Sequence, residues 1–262
     1  MRFGASEGHI ALITGASSGI GKAFALELAE RDCFVLLSGR NEAALDALAD
    51  KIGRDRCIVI PADLSDKEGC ISLYRSAMTY SPDILINNAG TGTFGRFDES
   101  SLDDEIRMID LNIKAMHILF KLFLRDFEKH GRGYILNVGS LAGFMPGPMM
   151  SSYYSTKSYV IRQTQAVYLE LLARRSPVHV SVLCPGPVRT PFNRNAGISG
   201  KIKGITPEEC VRAALNGMRY DLPVIIPSFG AKLIAAGAAV VPPLAAGCFC
   251  YGAQKFKKRL DQ

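Results

Sequence analysis

Residues 9–21 read His9-Ile10-Ala11-Leu12-Ile13-Thr14-Gly15-Ala16-Ser17-Ser18-Gly19-Ile20-Gly21, and the reading of this stretch decides the fold. His9–Ile13 is a short apolar run of the kind that a buried strand needs, and it enters a glycine-rich turn without a break. The residues that follow, Lys22 to Asp32 (KAFALELAERD), carry apolar positions at helical spacing. Strand, glycine turn and helix in this order are the opening of a βαβ unit. Glycines at 15, 19 and 21 let the backbone turn sharply and approach a ligand, and the new helix offers free N–H groups and a positive dipole end to a pyrophosphate. The spacing is Gly-x-x-x-Gly-x-Gly rather than the commoner Gly-x-Gly-x-x-Gly.

Outward from this turn the alternation continues. Apolar runs at 33–38, 57–61, 84–86, 134–138, 179–183 and 223–227 read as further buried strands, and helical patterns fill the intervals at 42–52, 102–130 and 153–174. Seven strands alternating with helices predict an α/β, Rossmann-like, doubly wound and mostly parallel sheet with helices on both faces. Arg40 follows the second strand, where an acid would hold a ribose 2′-hydroxyl and a base accommodates a 2′-phosphate. It argues for NADPH/NADP+ over NADH/NAD+. Asp63 and Leu64 follow the third strand, and Asp63 can meet an adenine amino group or cap the next helix. Asn88, Ala89 and Gly90 follow the fourth. Asn112 stands mid-helix, where an asparagine either faces solvent or bonds within the helix groove. Two prolines and a glycine in 185–190 make a rigid loop after the sixth strand, and 192–204 is aperiodic, as a mobile lid would be.

The chemistry is concentrated in 140–157, SLAGFMPGPMMSSYYSTK. Helical spacing from Ser152 onward puts Tyr153 and Lys157 on one face at i and i+4. A free phenol titrates near ~10, and an ammonium within about 4–6 Å lowers that value. Tyr153 is therefore the candidate acid/base, Lys157 its electrostatic partner and Ser140 a hydroxyl able to hold a carbonyl oxygen. Tyr154 has no lysine at i+4.

In order along the chain, TGASSGIG at 14–21, NNAG at 87–90, Asn112, Ser140, Tyr153-x-x-x-Lys157 and PGPVRT at 185–190 resemble the single-domain branch of the short-chain dehydrogenase/reductase family over residues 8–228. The resemblance implies interconversion of a ketone and a secondary alcohol, with Tyr153 as general acid/base. It gives Ser140 the carbonyl, Lys157 the nicotinamide ribose and a lowered Tyr153 pKa, and Asn112 a place in a proton path. It further implies dinucleotide contacts at Gly15, Ser17, Ser18, Gly19, Ile20, Gly21, Arg40, Asp63, Leu64, Asn88, Ala89, Gly90, Tyr153, Lys157, Pro185, Gly186, Val188 and Thr190, and a homodimer or homotetramer. Similarity to ketoacyl-reductase and hydroxysteroid-dehydrogenase-like members points to a lipophilic carbonyl or alcohol substrate such as a steroid, bile acid or fatty-acyl derivative. Phe144, Met145, Met149, Met150 and Phe192 are the candidate pocket lining. A non-catalytic NADP(H) sensor on the same fold is the alternative from another class; a sugar epimerase of the longer branch lacks room for its substrate domain.

The 262 residues, 48% of them apolar, suit one large domain at 1–228 with a C-terminal extension at 229–262. Four charges of the formal +6 come from Lys255, Lys257, Lys258 and Arg259, so the body is nearly balanced and nucleic acid is disfavoured. Seven scattered cysteines and four unclustered histidines argue against zinc and against a disulfide framework and favour a reducing, cytoplasmic setting. No apolar segment of secretory type precedes the first strand. Residues 233–254 carry no charge and run into KFKKRL. Three readings stand for this tail: a helical pair over the substrate pocket or a subunit interface, a hairpin on a membrane surface with its basic end on anionic lipid, and a true span interrupted by Pro242-Pro243.

Overall fold

A computed structural model describes residues 8–197 and 204–259. The apolar runs become strands β1 (Ile10–Thr14), β2 (Phe34–Gly39), β3 (Cys57–Pro61), β4 (Ile84–Asn87), β5 (Gly133–Val138), β6 (Val178–Leu183) and β7 (Val224–Ile225). They form one sheet in the order β3-β2-β1-β4-β5-β6-β7. Every neighbouring pair is parallel, so all of the side connections run over the faces and both faces are buried. The chain reverses its direction of travel across the sheet between β1 and β4, which makes the carboxyl ends of these two strands the crevice of the fold.

Helices α1 (Gly19–Glu30), α2 (Glu42–Ile52), α3 (Lys67–Met78), α4 (Leu102–Ile109), α5 (Met116–His130) and α6 (Ser151–Ala173) cover the two faces, with α7 (Phe192–Asn195) and α8 (Pro207–Arg219) after β6. One apolar layer joins Leu28, Phe24, Val35 and Leu37 to Leu215 of α8. The other joins Leu12, Leu36 and Leu85 to Phe120, Phe123 and Leu171. Helix starts follow capping chemistry: Asn41, Asp66, Ser101 and Thr206 each accept a backbone N–H of their own first turn. Thr206 and Glu209 complete a capping box, with Pro207 at the first helical position.

Three expectations need correction. The helical pattern of 102–130 is interrupted by a wider π-helical turn at Asp110–Ala115, and Asn112 within it is buried, facing neither solvent nor the groove of its own helix. The segment 192–204 opens with the short helix α7; residues 198–203 of the expected lid lie outside the described residues, as do residues 1–7 ahead of the first strand. The tail folds as α9 (Phe229–Val240) and α10 (Pro243–Arg259). Among the described residues no helix is long and apolar enough to cross a membrane, because Pro242-Pro243 divides the run, so the spanning reading fails.

Phe123 of α5 is wholly buried, edge-on to Tyr74 of α3 at 5.4 Å and to Phe127 at 5.8 Å. Phe123→Ala should therefore lower unfolding free energy by about 3–5 kcal/mol, read as an earlier urea midpoint; a change below about 1 kcal/mol would show that this layer does not hold the sheet.

Candidate active site

The glycine turn is built around Thr14, a residue that motif reading passes over. Its Oγ1 accepts the N–H groups of both Asn88 and Ala89, each at 2.9 Å, and donates to the Ile86 carbonyl at 3.4 Å. Asn88 in turn donates through Nδ2 to the Thr14 carbonyl at 2.8 Å. The NNAG segment thus braces the turn from the neighbouring strand, and its side-chain amides, Asn87 buried and Asn88 half-buried, serve the scaffold. Asn87 donates to the Met116 carbonyl and to Asn137, which donates to Thr164. Gly15 has φ +66, and a Cβ on Gly21 would stand 2.3 Å from the Gly15 carbonyl oxygen. Only glycine lets α1 begin this close to β1.

Ser18 is the N-cap of α1 and makes no side-chain cap bond, so the first N–H groups of α1, around Gly19 and Ile20, have no side-chain cap among the described residues. Gly19, at φ +54, faces the Thr190 side chain, 3.3 Å from where a Cβ would be. These residues fit a dinucleotide pyrophosphate: a backbone cradle that a side chain would fill, at the positive end of a helix. Ser17, Arg40, Asp63 and Leu64 lie toward the outer strands. Arg40 is exposed just past β2. Asp63 accepts the Ser65 N–H at 3.0 Å and Asp66 caps α3, so Asp63 is not the cap; Leu64 is buried.

On the other side of β1 the fold gathers Gly90, Asn112, Ser140, Tyr153 and Lys157. Asn112 accepts the Thr91 N–H and donates to the Thr91 carbonyl, both at 2.9 Å, and donates to Thr156 Oγ1 at 3.1 Å. Thr156 donates to the Tyr153 carbonyl at 2.7 Å. Asn112 therefore ties the β4 loop to the turn of α6 that carries the tyrosine. A Cβ on Gly90 would stand 3.0 Å from Asn112 Oδ1 and 3.4 Å from Lys157 Nζ, which places that backbone beside both. Pro185 accepts the Leu141 N–H at 2.8 Å, Gly186 packs against Ala231 of α9, and Val188 bridges to Ile205. The Pro185–Thr190 loop is thus held from both ends.

Tyr153 and Lys157 are both buried on α6, and the shift at Tyr153 runs upward where the helical spacing leads one to expect a downward one. Burial holds the Tyr153 phenol up, at about 12, although its hydrogen bond with Ser140 pulls the other way. Burial pushes the Lys157 ammonium down to about 8. Its Nζ donates to the Val138 carbonyl at 2.8 Å and lies 5.9 Å from the centre of the tyrosine ring; desolvation is the largest influence on the phenol.

The phenol stands in an apolar cluster of Met108, Met150, Phe94, Ala142, Tyr154 and Phe192. Phe192 tilts against the Tyr153 ring at 5.4 Å. Of the expected lining, Met150 and Phe192 are here. Phe144 turns instead into the main core, and Met145 meets Cys250 of α10, sulfur to sulfur at 3.2 Å. Met149 adopts φ +67 and its carbonyl accepts the Gly95 N–H at 2.8 Å, a strained backbone fixed beside the site. Phe94 and Met108 escaped sequence reading because they lie far from the 140–157 segment along the chain.

Comparison with known proteins agrees with this geometry. The family described as short chain dehydrogenase matches residues 9–199. An uncharacterised short-chain type dehydrogenase/reductase of Sinorhizobium fredii is 39% identical over 190 residues, 72% of this chain and 73% of that protein. A short-chain dehydrogenase from Sphingobium yanoikuyae, solved in complex with NADPH, is 33% identical with a TM-score of 0.80, covering 88% of this chain and 93% of its own. A structure reported for 7beta-hydroxysteroid dehydrogenase stereoselectivity is 25% identical with a TM-score of 0.82, covering 95% and 99%.

Between about pH 8 and 10.5 the unfolded chain binds more protons at position 157 than the folded one, so stability should rise with pH across that window. Lys157→Met should abolish that rise and, without added nucleotide, stabilise the protein at neutral pH by on the order of 3 kcal/mol. Parallel stability–pH curves for the two proteins would contradict the burial of a strained cation here.

Proposed function

This chain belongs to the short-chain dehydrogenase/reductase family and is an oxidoreductase acting on CH–OH or C=O groups, and from that premise we propose that it reduces lipophilic ketones with NADPH, Tyr153 giving the proton. The observation that carries the reading is the Tyr153 hydroxyl, bonded to Ser140 inside an apolar cluster, with its ring against the Gly92 backbone that follows β4.

The dinucleotide, when bound, supplies the hydride from nicotinamide C4. Ser140 holds the carbonyl oxygen, and Tyr153 Oη transfers its proton to that oxygen as alkoxide character develops. A phenol held at about 12 is fully protonated at neutral pH and is still a far stronger acid than an alcohol, so it suits the donor role. In the oxidative direction the same oxygen has to be ionised first, which burial opposes. Lys157, near Gly90 and bonded to the Val138 carbonyl, would hold the nicotinamide ribose, and Asn112 would act as a positioning residue through Thr156. Arg40 would meet a 2′-phosphate at the end of β2, and the similar Sphingobium yanoikuyae enzyme was solved with NADPH. Methionine and aromatic walls around Tyr153 favour a bulky apolar substrate, and the resemblance to the 7beta-hydroxysteroid dehydrogenase structure supports a steroid-like ketone.

Tyr153→Phe should cut ketone reduction by about 10²–10⁴-fold while leaving NADPH affinity within error; retained turnover would end the assignment. Arg40→Ala should weaken NADPH by about tenfold or more and NADH little, measured by fluorescence titration of each nucleotide; an unchanged preference would remove Arg40 from the cofactor site.

A further inference from the structure

The two C-terminal helices present their large apolar side chains to the outside. On the inner side stand small residues: Ala231 and Ala235 are buried, Ala231 packs on Gly186, and Gly247 packs on Pro146. On the outer side Phe229 is 76% exposed, Val240 83%, Leu244 84% and Phe249 82%, with Leu233 and Ile234 more than half exposed. In α9 the only charged residue among them is Lys232. A helix that faces water shows the opposite pattern, so this outer face is built to be covered.

Charge identifies what covers it. Between Asp221 and Asp261 there is no acidic residue, and the charged ones are Lys232, Lys255, Lys257, Lys258 and Arg259, the last four in the final turns of α10. On the loop beside Tyr251, Asp98 and Glu99 are both taken by Arg96 at 2.6 and 3.4 Å. A second copy of the same face would bring like charges together, which disfavours self-pairing. An apolar face on a segment whose sequence ends in four cations complements an anionic lipid surface, which attracts basic segments. We infer that the outer face of the α9–α10 pair docks the protein on an anionic lipid bilayer. The inner face of the same pair touches the Met145–Pro146 segment and the Gly186 loop, so docking sets the mouth of the site against the lipid. That last point rests on the function proposed above; the docking does not.

The test uses the full chain with vesicles of phosphatidylcholine alone or with about one-third phosphatidylserine, separated by sedimentation. The protein should pellet at least about tenfold more with the anionic vesicles and be released by high salt. Val240→Asp with Leu244→Asp should abolish pelleting while leaving NADPH-dependent ketone reduction in vesicle-free buffer unchanged, since both residues stand away from the site. Changing the four terminal cations to glutamine should weaken pelleting by about tenfold or more. Wild-type protein remaining in the supernatant, equal pelleting with neutral vesicles, or pelleting by the double variant would overturn the inference. So would a concentration-dependent dimer that the double variant dissolves without any lipid binding, which would make the face an interface between copies. Activity is read separately, so loss of either result leaves the other standing.

Discussion

The site depends on one costly arrangement: an ammonium, Lys157, and a phenol, Tyr153, are buried side by side at the carboxyl edge of a parallel sheet. Burial penalises the charged form of each, holding the lysine down and the tyrosine up. Such a pair persists only where the surrounding structure over-determines it. Here the Val138 carbonyl takes the ammonium, Ser140 takes the hydroxyl, and the Asn112–Thr156 link fixes the helical turn between them. The stability given up at this edge is what lets two groups of unlike charge demand share a water-poor cleft.

The rest of the fold can be understood as support for that edge. Seven parallel strands put every strand-to-helix loop of interest on one rim, and the switch between β1 and β4 opens the crevice there. Thr14 locks the first loop to the fourth, Asn112 locks the fourth to α6, and the Leu141–Pro185 bond locks the fifth to the sixth. Three polar links between neighbouring loops thus hold cofactor cradle and catalytic turn in register, and the two apolar layers beneath keep the strands that carry them from shifting.

Much of this was legible from local pattern. The strands are short apolar runs with turns on either side, and the glycine turn announces itself because Gly15 and Gly21 are required by backbone contact within a few residues. Tyr153 and Lys157 lie on one helical face, so their juxtaposition follows from spacing alone. What could not be read was set by partners distant in the chain. Asn112 looks like a poor helix residue until Thr91 and Thr156 are brought to it; Thr14 looks like the end of a strand until Asn88 arrives. Phe144 reads as pocket lining but turns into the core, while Phe94 and Met108 take the place beside the phenol. The direction of the Tyr153 shift is illegible for the same reason: one turn of helix gives the proximity of a cation but says nothing of the desolvation that holds the phenol up.

The account turns on the proton that leaves Tyr153 Oη. Fluorotyrosine placed at position 153 lowers the phenol pKa with almost no change in shape, so the pH profile of ketone reduction reports directly on that group. If Tyr153 is the donor, the alkaline fall in rate should move to lower pH in step with the pKa of the analogue. A profile that stays where it was would assign the proton to another group and contradict the mechanism.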